Sequence, residues 1–335
     1  LVAAVFAAVL ALLIYTFFTP NYYSHAAPLR FEISQGMSLR QTIDSLYKYG
    51  VIPDKRNMRI AAFIYGADKK IKAGRYKIPN GLSYVSLLEL FIKGEREIPQ
   101  VVTFQEGITI SQFAHILKTK VHADSAEVMR LCSDTVFIKS LGLDVPTLEG
   151  YLLPDTYYIY DGTPADKVIR RLRQEFTKFF SDSLRTQLKK MKYNLHQVLT
   201  VASIVEGESN MVKEFPVIAG VYYNRLENGM KLQADPTVQY AFNSANKWKR
   251  LFNKDLLVNS PYNTYVNYGL PPGPINNPGK AAILGALFPQ RHNYLYFVAD
   301  GTGGHKFSAT YDEHLKLIAT YRSIITQQLQ QSAKN

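Results

Sequence analysis

The chain has 335 residues, 47% of them apolar, a formal net charge of +12 and one cysteine, Cys132. That length sets two or three domains with sizeable cores. A lone cysteine excludes an intramolecular disulfide and a cysteine-built metal site, and the seven His fall at no metal-ligand spacing, so neither metal nor cofactor is expected. The basic residues are dispersed, as in Lys69-Lys70, Arg170-Arg171 and Lys189-Lys190, with no dense stripe and no recognition motif. Nucleic acid is therefore not an expected partner, and the charge suits an anionic membrane, a wall polymer or a solvated surface.

Leu1 to Phe18 carries no charged residue. As a helix it spans ~27 Å, near the ~30 Å hydrocarbon core of a bilayer. Pro20 ends it, Tyr22 and Tyr23 sit where interfacial aromatics belong, and the first basic residue is Arg30. An uncleaved transmembrane anchor over 1–19 is favoured over a cleaved signal peptide ending near Ala26-Ala27, because the run exceeds a usual signal core. A flank poor in Lys and Arg favours export of the downstream chain. The sequence begins at Leu1 rather than Met, so the orientation rests on this flank alone.

A pattern then recurs. Phe31-Glu-Ile-Ser-Gln-Gly36-Met-Ser38-Leu precedes a helical run with Leu39, Ile43 and Leu46 on one face. Val102-Thr-Phe-Gln-Glu-Gly107-Ile-Thr109-Ile precedes Phe113, Ile116 and Leu117, and a shorter echo runs from Arg75 through Gly81 and Ser83 to Leu87, Leu88 and Phe91. Each reads as strand, glycine turn, hydroxyl N-cap and amphipathic helix. Such units resemble LysM-type modules that bind N-acetylglucosamine polymers. The region 28–146 is accordingly expected to be a LysM-like α/β region, acting as glycan binder or as a spacer.

From about Leu148 the texture changes. A Tyr-rich turn and strand (148–158) leads to an amphipathic basic helix over 164–180. The segment 259–279 is irregular, with Pro261, Pro271, Pro272, Pro274 and Pro278, a texture that builds sites or lids rather than regular elements. Tyr294 to Ala299 reads as a buried strand and Thr310 to Gln327 as a closing helix.

Between these lies Asn194-Leu-His-Gln-Val-Leu-Thr-Val-Ala-Ser-Ile-Val-Glu206-Gly-Glu208-Ser. Asn194 and Gln197 form a capping box, and Leu195, Val198, Leu199 and Ala202 make an apolar stripe. Glu206 continues that stripe near the helix C-terminus. Burial and the negative end of the helix dipole both push its pKa upward, as a general acid for glycosidic cleavage requires. A structural Glu paired with a nearby Arg or a backbone donor fits the same pattern. Glu208 lies about 200° round the helix, so the two cannot form a close carboxylate pair unless Gly207 breaks it. One buried acid points to a substrate that supplies its own nucleophile, with Asp155 and Asp235 as distant second carboxylates. His196 reads as a helix-surface residue.

Several segments, in order, carry a resemblance. They are Leu148-Glu-Gly-Tyr-Leu-Leu-Pro-Asp-Thr-Tyr157, Ala202 to Ser209, Val221-Tyr-Tyr-Asn-Arg-Leu226 and Leu232-Gln-Ala-Asp-Pro-Thr-Val238. Further on come Ser260-Pro-Tyr-Asn-Thr-Tyr265, Gly269 to Ile275, Asn277-Pro-Gly279, Tyr294 to Ala299 and Gly304-His305. With them the chain resembles the endolytic murein transglycosylase (YceG-like) family. The resemblance implies Glu206 as the one acid/base. It protonates the oxygen between N-acetylmuramic acid and N-acetylglucosamine, then as a base helps the muramyl 6-hydroxyl attack the anomeric carbon, leaving a 1,6-anhydromuramyl end. Position 207 is Gly where such sequences often carry charge, and position 234 is Ala where a hydroxyl is common.

Gln233, Asp235, Asn263 and Tyr265 read as cleft lining for sugar hydroxyls and acetamides, with turn formation as the alternative for Asp235 and Asn263. Glu208, Asn224, Asn277 and His305 join that substrate-binding set. The expected architecture is α+β: an N-terminal transmembrane helix, the LysM-like region, then a mixed α+β catalytic domain over 147–335. The expected place is the outer side of the cytoplasmic membrane on a single-pass anchor. There the enzyme would terminate nascent glycan strands beside peptidoglycan synthases. The rival readings are a non-catalytic tethered wall-binding or scaffold protein, and a hydrolase using Asp155 or Asp235 as base.

Overall fold

A computed structural model describes residues 2–242 and 250–332, and the chain divides into two compact units, Leu1–Pro99 and Gln100–Asn335. In the first, α1 (Val2–Phe18) is followed by β1 (Leu29–Ile33), α2 (Leu39–Lys48), α3 (Lys55–Ile64), β2 (Gly74–Ile78) and α4 (Tyr84–Lys93). β1 and β2 pair antiparallel with Phe31 opposite Tyr76. The two-residue period turns Phe31, Ile33, Tyr76 and Ile78 onto a core with Ile43, Leu46, Met58, Leu88 and Phe91. Ser38 caps α2 in a reciprocal box with Gln41, and Ser83 caps α4. The expected hydroxyl caps thus satisfy amides that a helix start leaves unpaired.

α1 fills most of the expected 1–19 span with 17 residues, none of them charged. That is about 25 Å of helix. Among the described residues no helix is long and apolar enough to cross a membrane.

The second unit opens with β3 (Gln100–Thr103), α5 (Ile110–Val121), α6 (Ser125–Leu131), α7 (Thr135–Ser140) and β4 (Thr156–Ile159). β3 pairs antiparallel with β4, Val102 opposite Tyr157, so the strand–helices–strand order of the first unit recurs. The division falls at Pro99/Gln100 rather than at 146/147. The partner of β3 lies beyond residue 147, and Phe113, Leu117, Val128 and Ile138 share one core with Leu148, Tyr151 and Leu199.

Next come α8 (Ala165–Phe179), α9 (Asp182–Lys189), α10 (Leu195–Glu208), α11 (Phe215–Glu227), α12 (Asp235–Ala241) and α13 (Lys280–Leu287). The chain closes with β5 (Tyr296–Ala299), β6 (His305–Ser308) and α14 (Tyr311–Ser332). α10 is the central helix, packed by α11, α12 and α13. Every residue from Val198 to Val205 is buried, so the expected one-sided stripe is in fact an apolar helix sheathed all round. Its two hydroxyls remain paired: Thr200 donates to the His196 carbonyl at 2.7 Å and Ser203 to the Thr200 carbonyl at 2.8 Å. The expected buried strand at 294–299 is only half-buried, because its sheet has two strands, β5 and β6, with α14 against them.

Candidate active site

α10 runs unbroken through Gly207 to Glu208, so Glu206 and Glu208 point to different surroundings. The capping box at Asn194 and Gln197 fixes the start of the helix, and the sheathed run fixes its rotation.

Glu206 emerges half-buried where α10 leaves the core. Its Oε2 accepts the Gly279 N–H at 2.9 Å. Gly279 is the N-cap residue of α13, so the acid faces the positive end of a second helix. Gly107, at φ +76°, lies on another side: a Cβ there would stand 3.2 Å from Glu206 Cγ. Burial pushes the Glu206 carboxyl up to about 7; the Gly279 N–H opposes this, and the nearby Glu106 charge adds to it. No cation pairs with Glu206 among the described residues. The structural alternative thus has no Arg partner there, but it does have its backbone donor in the Gly279 N–H.

The frame around Glu206 is a set of buried ties. Asn277 is fully buried. Its Oδ1 accepts from Gly150 N (2.9 Å) and Leu152 N (3.2 Å), and its Nδ2 donates to Glu149 Oε1 (2.7 Å) and the Ile108 carbonyl (3.1 Å). Its backbone bonds Ile108 and Gly107 in both directions, at 2.8 and 2.9 Å. Glu149 also accepts the Ile110 N–H at the start of α5, and burial pushes its carboxyl up to about 8. The Gly107 turn and the Gly279 turn are thereby held together over Glu206. Ser203 of α10 adds a second anchor, accepting the Ile275 N–H at 3.0 Å, while its carbonyl accepts Asn276 Nδ2 at 2.8 Å.

His196 is a third anchor rather than a surface residue. Its Nε2 faces the Pro272 carbonyl at 2.8 Å and its Nδ1 the Tyr151 hydroxyl at 2.9 Å, with the two rings stacked. A carbonyl can only accept, so Nε2 carries a proton. The proline-rich segment is thus pinned along α10, which is how an irregular chain delivers Gly279 to Glu206.

A second cluster surrounds Glu208. Tyr222 donates to Glu208 Oε1 at 2.5 Å, and Tyr265 donates to Asp235 Oδ1 at 2.6 Å. Burial pushes the Glu208 carboxyl up to about 7, against the Tyr222 bond, and the Asp235 charge adds to the rise. Gln233 is exposed and held at φ +52°, a left-handed conformation that costs a non-glycine residue about 1–2 kcal/mol. The Thr264 carbonyl accepts its N–H at 3.1 Å and fixes it. Gln233, Asp235 and Tyr265 are therefore neighbours, joined by the Tyr265–Asp235 bond and by the Gln233 N–H to Thr264, with Glu208 close enough for the Asp235 charge to act on it.

The other expected ligands serve the frame. Asn263 is fully buried, donating to the Leu256 and Val258 carbonyls and accepting the Tyr265 N–H. Asn224 donates to the His292 and Tyr294 carbonyls at 2.9 and 3.0 Å. His305 pairs with Glu214, Nδ1 to Oε2 at 2.8 Å and backbone N to Oε1 at 3.0 Å. Burial raises the Glu214 carboxyl, but those bonds outweigh it and leave it below its ordinary value. Asp155 is exposed and tied to Lys280 at 2.7 Å, which holds its carboxyl low.

Sequence reasoning missed Glu106, Glu149 and the Gly279 amide. Glu106 and Gly107 stood in a segment read only as a strand turn, and their nearness to Glu206 depends on a fold contact 100 residues away.

The YceG-like family model matches residues 31–320. An endolytic murein transglycosylase of Bacillus subtilis (strain 168) is 33% identical over 87% of this chain and 84% of its own length. One from Streptococcus pneumoniae (strain D39) is 29% identical over 84% of this chain, which spans 56% of that longer relative. The crystal structure of a putative yceG-like protein from Listeria monocytogenes superposes with a TM-score of 0.59 at 32% identity, covering 86% of this chain and 98% of that one.

Proposed function

This chain belongs to the YceG-like family, and we infer from that premise and from the surroundings of Glu206 that it is an endolytic lytic transglycosylase cutting peptidoglycan glycan strands in the cell envelope. The observation that carries the residue assignment is Glu206 itself: half-buried, paired with no cation among the described residues, and held near 7 by burial. Such a group delivers a proton at neutral pH and takes one back.

In the proposed reaction Glu206 protonates the glycosidic oxygen between N-acetylmuramic acid and N-acetylglucosamine, and the C1–O bond breaks. The carboxylate then accepts the proton of the muramyl 6-hydroxyl as that oxygen bonds C1. No water is consumed, and the product carries a 1,6-anhydromuramyl end. Glu208, Gln233, Asp235 and Tyr265 line the path of the strand. The tie of Asp155 to Lys280 speaks against a hydrolytic base there.

The first unit supports two further readings. Its β1-α2-α3-β2 order with an antiparallel pair suits a LysM-like glycan-binding module. α1 serves as the membrane attachment: it is free of charge, and Val2, Phe6 and Leu12 are exposed. The enzyme then works beside peptidoglycan synthases on nascent strands.

Mass spectrometry of glycan strands digested by the full chain tests this reading. Anhydromuramyl ends from the wild type, absent with Glu206→Gln, are expected. Reducing muramyl ends would replace it with a hydrolase. Binding without turnover by either protein would leave the non-catalytic wall-binding alternative.

A further inference from the structure

Glu106 lies in the Gly107 turn between β3 and α5. Its carboxyl is exposed, and it has no hydrogen-bond or ion-pair partner among the described residues. Gly279 separates it from Glu206: a Cβ on Gly279 would overlap Glu106 Oε1, while the Gly279 N–H bonds Glu206 Oε2 at 2.9 Å. Given ordinary backbone dimensions, the two carboxyl groups lie within about 7 Å of each other. Only a residue without a side chain fits between them. The approach is built, since Asn277 clasps the Gly107 turn through Ile108 and Gly107 itself.

Resting on the transglycosylase reading above, we propose that Glu106 is a second functional carboxylate of this site, carried on a clasped turn, whose charge stabilises the positive charge growing on the muramyl anomeric carbon. It forms no bond and moves no proton. Glu206 gives its proton to the glycosidic oxygen and the C1–O bond breaks heterolytically. The 6-hydroxyl oxygen bonds C1, and its proton returns to Glu206. The Glu106 charge favours the proton on Glu206 before cleavage and strengthens the Glu206 carboxylate as a base afterwards, because two like charges this close resist ionising together.

The test is steady-state kinetics of the full chain against pH for wild type, Glu106→Gln, Glu106→Asp and Gly279→Ala. Glu106→Gln should lower kcat about 10- to 100-fold with KM little changed, the size expected for losing one nearby unit charge in a medium of intermediate dielectric. Its high-pH limb should move to lower pH. Glu106→Asp keeps the charge and should keep the limb and most of the rate. Gly279→Ala, which displaces the Glu106 carboxyl, should shift the limb the same way. A Glu106→Gln enzyme with unchanged kcat, or with a raised KM and an unmoved limb, would overturn the proposal. Full turnover by Glu206→Gln would instead sink the underlying acid assignment, an outcome distinct from either.

Discussion

Asn277 separates two roles that its sequence motif leaves joined, substrate ligand and structural tie. Replacing it with Ala removes two acceptor bonds, to Gly150 N and Leu152 N, and two donor bonds, to Glu149 and the Ile108 carbonyl. All four partners lie in the buried core of the second unit or at its edge, and water reaches the gap poorly because Asn277 is fully buried. Each orphaned buried group costs about 1–3 kcal/mol, and partial relaxation brings the expected total to about 3–5 kcal/mol. Urea denaturation monitored by fluorescence measures this as a lower midpoint at unchanged slope. Turnover should fall as well, since the Gly107 and Gly279 turns lose their common clasp over Glu206. The reasoning fails if Asn277→Ala unfolds within about 0.5 kcal/mol of wild type. A raised KM at wild-type stability would show Asn277 to be a substrate ligand instead.

The same network has other consequences. Glu149 has its folded-state pKa raised to about 8. Its share of stability is therefore complete below the unfolded value near 4.5 and is lost as pH rises through about 8, so Glu149→Gln should flatten the pH dependence of unfolding over that window. Activity needs the Glu206 proton, so kcat/KM should fall as pH rises through about 7, and an alkaline plateau extending past pH 9 would contradict the assignment. Gly107→Ala forces a side chain into φ +76° and 3.2 Å from Glu206 Cγ. We expect it to lose about 1–2 kcal/mol of stability and to lower kcat more than it raises KM. Tyr222→Phe strips Glu208 of its hydroxyl donor and should cost about 1–3 kcal/mol by thermal or urea unfolding, with Glu208 titrating still higher.

Where chemistry acts between near neighbours in the chain, the residues alone specify it. Gly36, Gly81 and Gly107 take the left-handed turns that a missing Cβ permits, and Ser38, Ser83, Thr109 and Asn194 cap the helices next in the chain. The spacing of Glu206 and Glu208 sets them apart on any helix that continues through Gly207, as α10 does. The caps and turns need no contact farther than one or two turns, whereas the half-burial of Glu206 needs the Gly107 and Gly279 turns. The sheathing of α10 was less legible, because an apolar run reads as one face or as all faces depending on how many neighbours the fold supplies.

Pairing across long separations belongs to the tertiary structure. β3 finds its partner in β4, which sets the unit boundary at Pro99/Gln100, nearly fifty residues before the change in texture suggested. Asn224, Asn263 and Asn277 look like sugar ligands in sequence, since an amide that binds acetamide and an amide that binds backbone are the same group. Burial and partner geometry decide between them, and here the bonds go to the chain's own carbonyls and amides. Glu106 reaches Glu206 only because a turn near residue 107 and a turn near residue 279 are clasped together, leaving a glycine as the one residue thin enough to stand between two carboxylates.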